Sequence, residues 1–244
     1  MYNPIISVVT VCYNAVDVIE KTIQSVINQT YNRIEYIIID GDSKDGTVSV
    51  INKYSGKISK KISEPDNGIY DAMNKGIDMA TGEWINFMNA GDEFADEHVI
   101  YNLLDSFSNG SDVIFGNTIL NNNGVKKQRK GHFNQNEFPT LGHQSTFVKT
   151  SLMKRFHFGM NYKISADFEF LYKLFMESYK FYYVDLDVAI YDVSGFSSRN
   201  RVQLYIEHCS IQKKQISKVK LLKYKIEDFL PIWLMNRIVR IANY

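Results

Sequence analysis

The chain has 244 residues, 45% of them hydrophobic, and a formal net charge of +1, which leaves room for one large domain with a sizeable core, or one domain plus an appendage. Its two cysteines, Cys12 and Cys209, lie outside any CxxC pair, which excludes a zinc ribbon or a dithiol redox motif and fits a reducing compartment. No run reaches about 18 apolar residues, and no charged segment followed by a long apolar run opens the chain, so neither a transmembrane helix nor a signal peptide is predicted.

Residues 5–12, IISVVTVC, form a continuous apolar, β-branched run, the pattern of a buried parallel strand. Tyr13 and Asn14 follow as its loop. Asp17 occupies an N-cap position with Glu20 three residues on, a capping box. Val18, Ile19, Thr22, Ile23, Val26 and Ile27 then recur at helical spacing to about residue 29. EYIIID (35–40) is a second buried strand, ending in the polar turn DGDSKDGT, and a short helix with Val50, Ile51 and Tyr54 comes next. Strand–helix–strand–helix is the signature of a doubly wound parallel sheet. Residues 58–63 are a third, short strand.

Residues 64–94, EPDNGIYDAMNKGIDMATGEWINFMNAGDEF, read as a loop, a helix and a strand. Ile69, Met73, Ile77 and Ala80 share one helix face. Gly76 costs helix stability, so its place in the middle points to a close approach to the sheet. WINFM (84–88) is the central strand, followed at once by Asn89, Gly91, Asp92 and Glu93. Asp96 caps a helix carrying Val99, Ile100, Leu103, Leu104 and Phe107.

The second half changes style. DVIFG (112–116) is a strand, and TILNNNGVKKQRKG is a hairpin turning at residues 123 and 124. HQSTFVK (143–149) is a strand, 151–156 a short helix, and 165–178 a helix with Phe168, Leu171, Leu174 and Phe175 inward. FYYVD and VAIYDV are two further strands, and SGFSS (194–198) is a turn. From about residue 200 the chain is helical, with a break at Pro231. The domain boundary falls near residue 200: 1–200 a catalytic body, 201–244 a tail.

Four polar clusters carry chemistry. Tyr13–Asn14 and Asp40–Asp42 end adjacent strands, where a carboxylate accepts hydrogen bonds from a base or ribose; the same Asp40–Thr47 run also reads as an Asx-rich turn capping a helix. Asp92, just past the central strand, is placed to coordinate a hard divalent ion, or simply to form a turn. Asp167 is a candidate general base or a helix N-terminal acid that complements the dipole, and Glu169 faces elsewhere. His143, with Gln144, is a lone histidine with no cluster to make a zinc site. There is no GxGxxG and no GxxxxGK[ST], which argues against a dinucleotide fold or a P-loop enzyme.

Taken in order, these segments resemble the family 2 glycosyltransferases over roughly residues 5–200, and look most like the small bacterial enzymes of exopolysaccharide, capsule and O-antigen pathways. The most specific part is the run from Asp66 to Gly82, D-x-G-x-x-x-A-x-N-x-G onward, with the strand and acidic turn after it. The resemblance implies an A-type glycosyltransferase fold and inversion at the anomeric carbon. It also implies a nucleoside-diphosphate sugar as donor, a UDP-sugar above all, Mn2+ or Mg2+ as cofactor, and a glycan or lipid-linked acceptor. It places the base of the nucleotide against the backbone near Thr10–Tyr13 and the carboxylate of Asp40, the rest of the donor nucleotide at Asn14, Asp42, Asp66 and Asn67, the metal at Asp92 and the catalytic base at Asp167. His143, Gln144 and Arg199 fall on the acceptor or diphosphate side. The sequence departs from the pattern where Asp-Asp-Gly-Ser becomes Asp40-Gly41-Asp42-Ser43, where Asp-x-Asp-Asp becomes Asn89-Ala90-Gly91-Asp92, and where Ala166 replaces a frequent Glu.

Charge is uneven along the chain. Residues 211–244 hold eight Lys/Arg and two acids, a net +6, so the other 210 residues carry −5. Leu221, Leu222, Ile226, Phe229, Leu230, Trp233 and Ile238, with lysine and arginine between them, make an amphipathic basic tail suited to an anionic bilayer surface, to packing on the body, or to a homodimer. A cytoplasmic protein, peripheral on the inner membrane face, is the expectation. Basic charge confined to the tail argues against nucleic-acid binding. The rival readings are a nucleotidyltransferase, which would want a basic Gly-rich phosphate loop absent from residues 5–20, and a non-catalytic nucleotide-sugar-binding module.

Overall fold

In the computed structural model, which describes residues 2–122, 124–193 and 200–229, the first strand is Ile6–Cys12 (β1). Alternate residues of a strand face opposite sides, and both sides are covered here. Ile6, Val8 and Cys12 join one core cluster, Val9 and Val11 the other. A strand without a solvent face has no polar alternation, which is why it reads as an unbroken apolar run.

Ile19–Ile27 (α1), Ile34–Asp40 (β2), Thr47–Lys53 (α2), Lys60–Ser63 (β3), Ile69–Met79 (α3) and Trp84–Phe87 (β4) complete the parallel half of the sheet. The strands pair β3–β2–β1–β4, all parallel. The chain steps from β1 to β3 in one direction, and α3 then carries it back to lay β4 on the free edge of β1. The order reverses between β1 and β4, and ligands of open α/β sheets bind outside the carboxyl ends at such a point. A Cβ on Gly76 would sit 2.4 Å from Val9 Cγ1, so glycine is what lets α3 lie this close on β1.

The remaining elements of this unit are Glu93–Phe94 (β5), Val99–Asn102 (α4), Val113–Asn122 (β6), Val125–Arg129 (β7), His132–Asn134 (β8), Glu137–Thr140 (β9), Thr146–Lys149 (β10), Thr150–Phe156 (α5), Ala166–Met176 (α6) and Phe181–Asp192 (β11). β10 runs antiparallel between β4 and β6, β11 pairs parallel with β6, and β5 closes the far edge. β7 forms a hairpin with β6, and β8 with β9 a separate two-stranded sheet. The result is a mixed nine-stranded sheet flanked by helices. The chain divides into compact units between Val193 and Ser194. In the second unit Arg201–Ile211 (α7) and Lys218–Phe229 (α8) pack together, with the Tyr205 and Tyr224 rings 5.2 Å apart.

Several local expectations change. The Asp17–Glu20 capping box does not form: α1 starts after Val18 with no side-chain cap, and Glu20 instead accepts the Tyr54 hydroxyl at 2.8 Å. On α3, Ile69 is exposed and Tyr70 takes the buried position. The helix after Asp96 lasts one turn, Val99–Asn102, before 3-10 geometry takes over. His143–Ser145 is a 3-10 turn and not strand, and the two C-terminal strands are one, β11, with register shifts between Tyr183 and Ala189. The hairpin tip keeps Gly124 at φ +87°, while residue 123, the 194–198 turn, Pro231, Leu230, Trp233 and Ile238 lie outside the described residues.

At the amino ends of the strands, Glu35 braces three segments at once. Its carboxylate accepts Ser7 Oγ at 2.6 Å, Lys60 Nζ at 2.7 Å, Thr81 N and Oγ1 at 2.7 Å each, and Gly82 N at 3.3 Å. Burial alone would raise its pKa, but the bonds from Lys60, Ser7 and Thr81 outweigh burial and hold it at about 2. A depressed carboxyl stabilises the fold fully above the unfolded value, 4.5, and that stabilisation drains away as pH falls toward 2. Glu35→Ala leaves buried donors and the Lys60 charge unmatched, an expected loss on the order of 3 kcal/mol by urea denaturation at neutral pH. The loss should shrink as the acid limit is approached.

Candidate active site

Two loops form one side of the β1–β4 crevice. Tyr13, 66% exposed, is the first residue after β1, and Asn14 follows in the left-handed region at φ +46°. The Asn14 amide donates to Ser43 Oγ at 2.8 Å, and its Oδ1 accepts from Lys44 N at 2.9 Å, so this loop is stapled to the turn after β2. Asp42, also at positive φ, is exposed toward Lys44. A Cβ on Gly41 would lie 2.5 Å from Asp66 Oδ2 and 3.3 Å from the Tyr13 ring. Tyr13, Gly41 and Asp66 therefore meet without a β-carbon between them. Asp66 Oδ1 accepts Gly68 N at 2.9 Å, and Asn67 N donates to Asp71 Oδ2 at 2.8 Å, so the loop is tied to the start of α3 while Asp66 Oδ2 faces Gly41.

Two of the expected nucleotide residues turn their side chains inward. Thr10 is fully buried and its hydroxyl donates to the Met88 carbonyl at 2.7 Å, two residues short of the strand end. Asp40 is 1% exposed, and its carboxylate takes Ser43 N and Oγ, Ser63 Oγ and the Cys12 thiol. Burial would raise the Asp40 carboxyl, but the serine bonds hold it below its ordinary value. Asp40 ties β2, β3 and the 41–43 turn together from below, which is the Asx-turn reading of this run.

The turn after β4 crosses the middle of the crevice. Asp92 N donates to the Asn89 carbonyl at 2.9 Å, and Gly91 supplies φ +101°. Asp92 is 5% exposed; one oxygen accepts Asp192 N at 3.3 Å and Gln144 also hydrogen-bonds to it. Burial pushes its carboxyl up to about 7. Among the described residues no lysine or arginine pairs with it.

On the other side, Asp167 stands in the first turn of α6. Its Oδ1 accepts the Tyr70 hydroxyl and its Oδ2 the His143 Nδ1, each at 2.8 Å. Burial raises the Asp167 carboxyl, yet its bonds to His143 and Tyr70 bring it below its ordinary value. Burial likewise lowers His143, and the Asp167 bond and charge bring it back above its ordinary value. His143 Nε2 faces Asn89 Nδ2 at 3.3 Å, while Asn89 Oδ1 is buried with no partner among the described residues. The turn that carries His143 is pinned by Asn86, whose Nδ2 donates to the Gln144 and Thr146 carbonyls at 2.9 and 3.0 Å.

The structure thus joins Asp92, Gln144, His143 and Asp167 in one cluster, by the Asp92–Gln144 and His143–Asp167 bonds, and brings Tyr13 and Asp66 together at Gly41, with Asn14, Asp42 and Asn67 on the loops beside them. Arg199 lies outside the described residues. Sequence reasoning missed Tyr70, Asn86 and Arg129. Asn86 left a signal, an amide in the middle of the otherwise apolar WINFM. Arg129 left none: a Cβ on Gly142 would be 2.5 Å from its guanidinium, and burial holds its pKa below the ordinary value.

The glycosyl transferase family 2 model matches residues 7–168. An uncharacterized glycosyltransferase of Mycobacterium tuberculosis (strain H37Rv) is 32% identical over 177 residues, 69% of this chain and 68% of the relative. A PGL/p-HBAD biosynthesis glycosyltransferase of Mycobacterium bovis (strain BCG) is 25% identical over 182 residues, 72% and 71% of the two chains. Among solved structures, S. aureus TarS 1–349 in complex with UDP-GlcNAc matches with a TM-score of 0.67 at 17% identity, covering 88% of this chain and 69% of that one. The mannosyltransferase PcManGT of Pyrobaculum calidifontis, in complex with GDP-Man and Mn2+, matches with a TM-score of 0.68 at 16% identity, covering 94% and 70%.

Proposed function

The chain belongs to glycosyl transferase family 2, of the bacterial cell-surface polysaccharide type, and from that premise we propose that it moves a sugar, with inversion, from a UDP-sugar to a hydroxyl of a glycan or lipid-linked acceptor. The observation that supports this reading is the cluster of Asp92, Gln144, His143 and Asp167, held by its own hydrogen bonds, in a sheet whose strand order reverses between β1 and β4. Solved neighbours hold UDP-GlcNAc and GDP-Man, which supports a nucleotide-sugar donor.

Tyr13, Asn14, Asp42, Asp66 and Asn67 receive the nucleotide, with the Tyr13 ring offering a face to the base and Asp66 an acceptor to the ribose. Asp92 would hold Mn2+ or Mg2+. It fits that task as a hard oxygen donor buried without a lysine or arginine partner among the described residues, a charge that a divalent ion completes. A bound ion would neutralise the leaving diphosphate. Asp167 stands as the general base for the acceptor hydroxyl, whose oxygen attacks the anomeric carbon from the face opposite the departing diphosphate. Gln144 steadies Asp92, and the acceptor approaches from the His143 side.

Residues 1–200 serve as the catalytic body and 201–244 as a basic tail. No helix among the described residues is long and apolar enough to cross a membrane. On α8, Val219, Leu222 and Ile226 are exposed at helical spacing beside Lys218, Lys220, Lys223 and Lys225, a stripe suited to an anionic bilayer on the cytoplasmic face. Truncation after residue 210 should abolish flotation with anionic vesicles; unchanged flotation assigns the tail to protein packing or a homodimer.

Incubating the chain with UDP-glucose, UDP-galactose and UDP-N-acetylglucosamine, with and without Mn2+, tests the main proposal. Release of UDP supports it. Pyrophosphate release would mark a nucleotidyltransferase, and binding without turnover a binding module.

A further inference from the structure

Three arginines lie in the first unit, and two of them are occupied. Arg33 Nη1 donates to the Asn3 carbonyl at 2.6 Å, and Arg155 lies over the Phe156 ring with its Nη1 3.4 Å from the Tyr179 hydroxyl. Arg129, on β7, is partly buried, yet among the described residues its guanidinium has no ion pair and no hydrogen bond. Burial presses on its charge, and no carboxylate offsets the penalty. A Cβ on Gly142 would lie 2.5 Å from Arg129 Nη2, 3.0 Å from Thr118 Oγ1 and 3.2 Å from Gln144 Oε1. The guanidinium therefore rests against the residue before His143, beside the side chain that bonds Asp92, and its charge reaches His143.

Alternation sorts β7 into two faces. On one, Gln128 donates to Asp187 at 2.6 Å, and Lys130, just past the strand, pairs with Asp185 at 2.8 Å. On the other, Lys127 and Arg129 stand opposite Leu120 and Thr118 of β6, about 7 Å apart along the strand, and neither is matched by an acid among the described residues. Lys127 is exposed. A row of positive charge thus runs from solvent to the turn that carries His143. We propose that Arg129, with Lys127 outside it, binds an anionic group of the acceptor, a phosphate or a carboxylate, so that the acceptor is a sugar phosphate or an acidic glycan. This deepens the reading of the chain as a glycosyltransferase and rests on it. The guanidinium offers either group two parallel N–H donors, and partial burial strengthens them. Lys127 supplies an exposed point charge that draws the anion inward. The donor diphosphate has its own counter-charge in an ion at Asp92, and Arg129 lies on the side assigned to the acceptor.

The probes are glucose 1-phosphate and glucuronate, with glucose as the neutral control. Each is titrated by calorimetry into protein already saturated with UDP and Mn2+, so that the donor's phosphate positions are filled. One anion or both should bind at least about tenfold more tightly than glucose, and Arg129→Gln should bring them within about twofold of it. Preference for glucose 1-phosphate identifies a phosphorylated acceptor, and preference for glucuronate a uronic-acid glycan. Lys127→Gln should weaken the preferred anion by about two- to fivefold, the scale of an exposed charge. The UDP Kd should stay within about twofold of wild type in both variants, which also reports that they fold. The proposal is overturned if neither anion binds the UDP-saturated wild type better than glucose, or if Arg129→Gln keeps the preference. It is also overturned if Arg129→Gln raises the UDP Kd by about tenfold, which assigns the arginine to the donor diphosphate. A wild type that binds no UDP sinks the donor reading instead; the same titrations on the free protein then decide whether Arg129 holds an anion.

Discussion

Asp167→Asn is expected to lower sugar transfer by roughly 10²–10⁴-fold while leaving the UDP Kd unchanged. The variant keeps the size and shape of the side chain. What it loses is an acceptor: one of its two terminal atoms becomes an NH2, and that atom must face either the Tyr70 hydroxyl or the His143 Nδ1 hydrogen. A donor then faces a donor, and the amide that remains is a far weaker proton acceptor than the carboxylate it replaces. Nucleotide binding should survive because Tyr13 and Asp66 meet at Gly41, and Asp66 is held by Gly68 N, neither of which touches Asp167. A variant that transfers at the wild-type rate removes Asp167 from the mechanism.

Asp92→Asn should stop transfer and, in the metal-free protein above neutrality, make the fold more stable. The folded Asp92 carboxyl lies at about 7, against an ordinary 3.8, because burial disfavours its charge. A raised carboxyl binds its proton more tightly folded than unfolded, so stability is full below 3.8 and declines as pH rises through about 7. At about pH 8 the buried charge costs on the order of 2–4 kcal/mol. Asparagine carries no charge and removes that cost, so urea midpoints of the two proteins should separate at pH 8 and converge near pH 4. Reversed ordering at pH 8 would mean Asp92 is already compensated by the protein. Divalent-ion binding should weaken below about pH 7, as protons compete for the same oxygens.

The parallel half of the fold was legible because its signals are local. IISVVTVC and EYIIID are buried on both faces and show it in composition, and Gly76 marked a close approach that Val9 makes real. The second half was less legible because its geometry depends on partners distant in the chain. His143 sits in HQSTFVK, which has strand composition throughout, yet Asn86 from β4 claims the Gln144 carbonyl and folds the first three residues into a 3-10 turn. FYYVD and VAIYDV look like two strands because the irregularity between Tyr183 and Ala189 interrupts the alternation, though pairing with β6 runs through it.

The site divides the same way. Asp66, Asp92 and Asp167 stand out in the sequence as acids at strand and helix ends, and Asp92 and Asp167 join one cluster through Gln144 and His143. Asp40 stands out for the same positional reason, but its carboxylate is spent inside the sheet, and nothing in the sequence tells a satisfied carboxylate from an open one. The His143–Asp167 contact spans 24 residues and needs both the turn and the start of α6 to be in place. No spacing rule expresses it.

A single displacement at the Asp167–His143 pair has one stereochemical consequence, and proton NMR of the product's anomeric signal reads it directly. Transfer from an α-linked UDP-sugar should give a β-linked product, since one attack on the face opposite the diphosphate inverts the centre. An α-linked product would mean a double displacement through a covalent sugar intermediate, or attack on the same face as the departing diphosphate, and would contradict the account.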